Sequence, residues 1–228
     1  MSRFLYPEAS LSNINYDKYW EVRIQNENMY KMPRHYKIVN EIMSRSNSGK
    51  ILDLGCGEAH VLNMLPNDYE KYGCDISKVI YRFIDNNNFL FSITDLNNDF
   101  PFRDVKFDFI VCSEVLEHLR NPFNVLKNVK YNLKKDGYFI VTIPNHYNLK
   151  YKIELFLKKY PTWDKTHVNC WKINDFLNVL IYYGFNVINY YPTYSYKIPI
   201  NFLINYKSLY QLFGQQLLFI CKLQKKGD

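Results

Sequence analysis

The chain has 228 residues, enough to bury one full core, and its length suits a single domain with an elaborated end. Its 29 Lys and Arg against 22 Asp and Glu leave a net charge of +7, which excludes a strongly acidic chain and admits nucleic acid or an anionic surface as partners. The five cysteines, Cys56, Cys74, Cys112, Cys170 and Cys221, show no Cys-x-x-Cys spacing; they read as small reduced core residues, not as a zinc site or a disulfide frame.

No run of about 18 apolar residues is present to span a bilayer, and residues 1–8 lack the apolar core of a secretory signal; the expectation is a soluble, cytoplasmic protein. Residues 1–15 carry few periodic apolar positions and read as an arm. From 16 to 44, Tyr19, Trp20, Ile24, Met29, Met32, Ile38, Val39 and Ile42 recur at helical spacing, which predicts two amphipathic helices separated near Pro33. A polar linker over 44–49 follows.

Residues 50–57 are the most informative stretch. Ile51, Leu52 and Leu54 make a short buried strand, Asp53 lies near its end, and Gly55 and Gly57 permit a sharp turn without a Cβ in the way. A helix is expected near Glu58, whose first N–H groups would face a ligand. A dinucleotide fingerprint needs a third glycine at position 60, where His60 stands. With Asp53 beside the turn, the pocket suits a cationic amino-acid head better than a diphosphate.

Strand and helix patterns then alternate to Pro144, as in a parallel sheet joined by right-handed crossovers. The second apolar stretch ends at Asp75, about 20 residues after Asp53, where such folds place a carboxylate on ribose hydroxyls. Residues 91–96 give a third strand, 107–113 a buried fourth, and 134–144 a turn and a fifth. Beyond Pro144, helices are expected over 148–159 and 173–183, a stop at Gly184, a strand over 185–191 and a last strand over 217–221. Between these strands lies an aromatic insertion, 192–214, with Tyr194, Tyr196, Phe202, Tyr206, Tyr210 and Phe213. It stacks an acceptor or forms a satellite core layer, and the second reading is preferred for most of its tyrosines.

The segment Asp53-Leu54-Gly55-Cys56-Gly57, with Tyr72-Gly73-Cys74-Asp75-Ile76-Ser77, Phe91-Ser92-Ile93-Thr94-Asp95-Leu96 and the strand over 107–113 in the same order, resembles the motifs of class I S-adenosylmethionine-dependent methyltransferases. The resemblance covers roughly residues 48–223 and departs at Ala59, where many members have a glycine. It implies an α/β fold: a doubly wound, Rossmann-like, seven-stranded and mostly parallel sheet, helices on both faces, its last strand antiparallel between the fifth and sixth. The expected organisation is one domain, 1–228, with a helical arm or lid to 47, a cofactor core over 48–144 and acceptor-side insertions beyond.

The resemblance implies S-adenosylmethionine as cofactor and S-adenosylhomocysteine as product. Asp53, Gly55, Cys56, Gly57, Asp75, Ile76, Asp95, Leu96, Ser113 and Glu114 then line the cofactor, with Asp99 a competitor to Asp95. Arg23 or Arg34 in the amino-terminal helices pairs the cofactor carboxylate, or stands as a solvated arginine beside packed aromatics. Methyl transfer needs alignment and, for a hydroxyl acceptor, a base; His118 and His167 are the candidates. Glu114-Val115-Leu116-Glu117-His118 also resembles the motif of magnesium-dependent ubiquinone-pathway and small-RNA methyltransferases, so magnesium is an alternative, although the reading adopted here places no metal. His35, His60 and His146 are individually uninformative. The preferred acceptor is an oxygen, then a nitrogen, of a small or glycan-like metabolite; the alternatives are a 2′-O-methyltransferase acting on RNA and a binding module without turnover.

Overall fold

The computed structural model describes residues 15–18, 21, 33–83, 89–157, 166–195 and 209–225. Its centre is a seven-stranded sheet: β1 Gly49–Leu54, β2 Tyr69–Asp75, β3 Leu90–Ile93, β4 Phe107–Ser113, β5 Leu133–Pro144, β6 Phe185–Ser195 and β7 Gly214–Leu223. The order across the sheet is β3-β2-β1-β4-β5-β7-β6. β1 to β5 pair in parallel, while β7 runs antiparallel to both β5 and β6. The chain reverses between β1 and β4, the switch point where such sheets open a crevice at their carboxyl edge.

Side chains of the central strands alternate between two apolar layers, which is why their sequences are apolar almost without break. Leu52, Leu54, Ile110, Cys112, Phe139, Val141, Phe219 and Cys221 face one layer. There they pack with α3 (Pro122–Asn132) and α5 (Ile173–Tyr182). Ile51, Phe109, Val111, Ile140, Leu218 and Ile220 face the other, covered by α1 (Pro33–Met43) and α2 (His60–Met64). Ile38, Val39 and Ile42 form the buried stripe of α1, and Pro33 opens that helix, where a missing N–H costs nothing. Two short helices complete the fold, α4 (Leu149–Phe156) and α6 (Tyr210–Phe213).

Several boundaries differ from the sequence expectation. The helix after the glycine turn begins at His60, not Glu58, because Ala59 stands in the left-handed region at φ 54° and extends the turn by two residues. Residues 192–195 belong to β6, so the aromatic insertion is shorter than the sequence suggests; 196–208 lie outside the described residues, as does most of the first expected helix. Tyr210 is 2% exposed and sits in the core. Cys74, Cys112 and Cys221 are buried strand residues, but Cys170 is exposed, so it is not a core residue. No helix among the described residues is long and apolar enough to cross a membrane.

Candidate functional site

A cavity of about 380 Å³ opens at the carboxyl edge of the sheet above β1, β2 and β4. One wall is the glycine turn. Gly55 and Gly57 have φ of 67° and 50°, and a Cβ on Gly55 would lie 2.5 Å from Cγ2 of Val115. The turn is pinned by Cys56 N donating to Cys74 O at 2.8 Å and by Gly57 N donating to Asp75 Oδ2 at 3.1 Å. Asp75 Oδ1 accepts from Ser77 N at 3.0 Å. Burial raises the Asp75 carboxyl, against the lowering effect of these backbone donors.

Asp53 is 3% exposed at the end of β1. Burial first, and then the neighbouring Asp75, push its carboxyl up to about 8, while Arg34 pulls it down. Arg34, in the first turn of α1, acts on Glu114 in the same direction. Along the β2 and β3 side, Ile76, Thr94, Asp95, Leu96 and Asn97 line the cavity. The Asp95 carboxylate closes its own loop, taking Asn97 N at 2.9 Å and Asn98 Nδ2 at 2.7 Å. Asp99 turns outward to Phe100 N and Arg103. Tyr16 is part of the lining, and Asp17 beside it accepts from Ser77 Oγ at 2.6 Å and Lys78 N at 2.9 Å. Arg23, Tyr19 and Trp20 lie outside the described residues.

The opposite wall follows β4. Ser113 ends that strand, and Glu114, the next residue, holds φ 56°, a strained setting for a residue with a Cβ. Its carboxylate accepts from Thr142 Oγ1 at 3.0 Å and from Gln216 Nε2 at 2.9 Å. Glu117 and His118 come next on a 3-10 turn, Leu116–His118. Val168 N and Asn169 N both donate to Glu117 O, and Asn169 Nδ2 donates to Leu119 O at 2.5 Å. These bonds strap residues 166–169 onto the turn and thereby place His167 beside His118, ring centroids 4.8 Å apart. Glu117 is fully buried, 4.0 Å from His167 Nε2, and the polar atoms of Glu117, His118 and His167 lie within 4.8 Å of one another.

The structure thus brings Asp53, Gly55, Cys56, Gly57, Asp75, Ile76, Asp95, Leu96, Ser113, Glu114, Arg34, His118 and His167 to one cavity. Of the residues in the magnesium motif of the resemblance, Glu114 accepts from Thr142 and Gln216, while Glu117, His118 and His167 bring one carboxylate and two imidazoles close enough together to hold a metal ion. Sequence reasoning missed Tyr16, Thr94, Asn97, Thr166 and Gln216, and gave no role to His35, His60 or His146. His60 Nε2 meets Glu58 Oε2 at 2.7 Å and its ring lies 5.0 Å from that of His35, both at the cavity.

A family model described as a methyltransferase domain matches residues 26–190. An uncharacterised protein of Methanocaldococcus jannaschii, MJ1123, is 29% identical over 128 residues, 56% of this chain and 57% of that protein. A ubiquinone biosynthesis O-methyltransferase of Glaesserella parasuis is 36% identical over 55 residues, 24% of this chain and 23% of that one. The chain therefore spans less than two thirds of the curated relatives it matches. A solved S-adenosylmethionine-dependent methyltransferase of Clostridium acetobutylicum shares the fold at a TM-score of 0.62 and 16% identity, over 92% of this chain and 99% of that one.

Proposed function

The chain belongs to the methyltransferase-domain family of class I, S-adenosylmethionine-dependent enzymes, and on that premise we propose that it methylates a hydroxyl oxygen of a small or glycan-like metabolite, with an amine nitrogen as second choice. Asp75 offers its remaining lone pairs to the ribose hydroxyls. Asp95 accepts from the adenine amino group, and Ile76 and Leu96 flank the ring. Asp53 faces the methionyl ammonium, and Arg34 pairs its carboxylate. Ser113 and Glu114 wall the space between the methionyl end and the acceptor. The cofactor supplies the activated methyl group; the chain's own residues align the acceptor and take its proton.

The observation that carries the oxygen reading is the cluster of Glu117, His118 and His167 on the same cavity as the glycine turn. An amine that binds neutral needs no base before attack, whereas a hydroxyl must lose its proton as the new bond forms. Two imidazoles beside a buried carboxylate are suited to receive it. No step here passes through a metal ion.

The test pairs calorimetry with a labelling screen. S-Adenosylhomocysteine should bind the purified protein, and methyl-labelled cofactor should mark a small-molecule fraction of cell extract, with the label on oxygen in the purified product. Label found only on RNA or protein would overturn the metabolite assignment, and label on nitrogen alone would overturn the oxygen assignment.

A further inference from the structure

His146 lies just past β5 and outside the lining of the cavity. It is 5% exposed, with its ring against Tyr151 at 6.3 Å and edge-on to His167 at 5.2 Å and 88°. Its Nε2 is 3.0 Å from Nδ1 of His167, while the other nitrogen of His167 faces Glu117. His118 is oriented in the same sense, its Nδ1 meeting Thr166 Oγ1 at 2.8 Å. In both rings the δ nitrogen is committed to the protein scaffold.

Resting on the oxygen-methyltransferase reading above, we propose that His146 is a positioning residue: its Nε2 accepts the Nδ1–H of His167 and so fixes the tautomer in which Nε2 of His167 receives the proton of the acceptor hydroxyl. Two arrangements are compatible with the 3.0 Å contact. If His146 donates, the hydrogen of neutral His167 sits on Nε2 and that nitrogen cannot act as a base. If His167 donates, Nε2 keeps its lone pair. Burial holds the His146 ring at about 4, below the usual imidazole range, so it stays neutral and retains an acceptor nitrogen. Once His167 has taken a proton, both its nitrogens carry hydrogen; Nδ1–H then finds His146 Nε2, and Nε2–H finds Glu117. Only the second arrangement passes through the reaction without a ring flip or a proton shift between the two histidines.

The step balances. The acceptor O–H gives its proton to His167 Nε2, the oxygen bonds to the methyl carbon as the sulfur–methyl bond breaks, and that electron pair stays on sulfur. The sulfonium charge lost on one side of the cavity reappears on the imidazolium beside Glu117.

The experiment is a long-range proton–nitrogen NMR spectrum of protein labelled with 15N-histidine, assigned by single substitution of its five histidines. At alkaline pH, where the rings are neutral, wild-type His167 should show a protonated Nδ1 and a bare Nε2. In His146→Phe the hydrogen should move to Nε2, toward Glu117; in His146→Gln, whose amide oxygen accepts, the wild-type pattern should return. Affinity for S-adenosylhomocysteine should stay within about twofold in both variants, because His146 acts through His167 and not on the cofactor. Wild-type His167 protonated at Nε2 overturns the proposal even if neither variant folds, and so does a tautomer unmoved in His146→Phe. A His167 signal that changes when the protein is treated with a chelator also overturns it, since Nε2 would then be holding an ion. Because the spectrum needs no acceptor, it fails independently of the enzymatic reading; methyl transfer found on nitrogen alone would instead remove the base role of His167.

Discussion

Asp75 holds the glycine turn with its carboxylate, and in the proposed reading the same carboxylate would hold the ribose. It has about four lone-pair sites; Gly57 N and Ser77 N donate to it, the backbone of Ile76 also acts on it, and the residue lines the cavity. Asp75→Ala should therefore loosen the glycine turn and remove charge-assisted bonds to ribose, each worth about 1.5–3 kcal/mol, so affinity for S-adenosylhomocysteine should fall at least tenfold in calorimetry. Wild-type affinity in a folded Asp75→Ala protein would show that the cofactor does not lie here. His167→Ala tests the other wall: turnover should drop by about 10²–10⁴ while cofactor affinity holds. Full activity in both His167→Ala and His118→Ala would leave alignment as the main catalytic device. Asp53, Asp75 and Asp95 are legible in the sequence because each closes an apolar run, so its place at the sheet edge follows from the strand before it. Gln216, Thr166 and His146 are not, because Gln216 and Thr166 reach the cavity, and His146 reaches His167, from β7 and from loops after β5, and only the folded register of those segments brings them there.

The element that joins the two walls is the contact between the turn after β1 and the turn after β4. Gly55 has no room for a Cβ, with Val115 Cγ2 at 2.5 Å, and Val115 leads directly into the 3-10 turn that carries Glu117 and His118. Gly55→Ala meets both a left-handed φ and this clash, so it should cost about 1–3 kcal/mol in urea unfolding. Trimming the partner in a Gly55→Ala, Val115→Ala double variant should recover part of that loss, a coupling of at least about 0.5 kcal/mol. Strictly additive losses would show that the two turns do not press on each other. Strand β4 is legible from residue 107 to 113 because an unbroken apolar run bounded by polar residues allows little else. The start of α2 is not, because Ala59 carries no sign in its side chain that the turn forces it left-handed.

For the molecule as a whole, the site lowers stability, and pH exposes the loss. The cavity edge gathers Asp53, Asp75 and Glu114, all raised by burial, with Arg34 the cation that counters two of them. Asp53 is held up at about 8 in the fold against the 3.8 of an ordinary aspartate. Between those values the folded protein keeps a proton that the unfolded chain has released. Stability linked to this group therefore falls as pH rises from about 4 and is fully lost above about 8, the reverse of a salt-bridged aspartate. Denaturant titrations of the ligand-free protein should show that decline, and Asp53→Asn, which keeps the shape without the charge, should flatten it and be the more stable protein at pH 8. The methionyl ammonium of S-adenosylhomocysteine would supply the missing cation, so ligand binding near neutral pH should release about one proton from wild type. Calorimetry in two buffers of different ionisation enthalpy reads that number. Equal proton release from Asp53→Asn and wild type would mean that binding leaves the protonation of the carboxyl unchanged, so that Asp53 is either ionised already in the empty cavity or is not the anion that meets the cationic head.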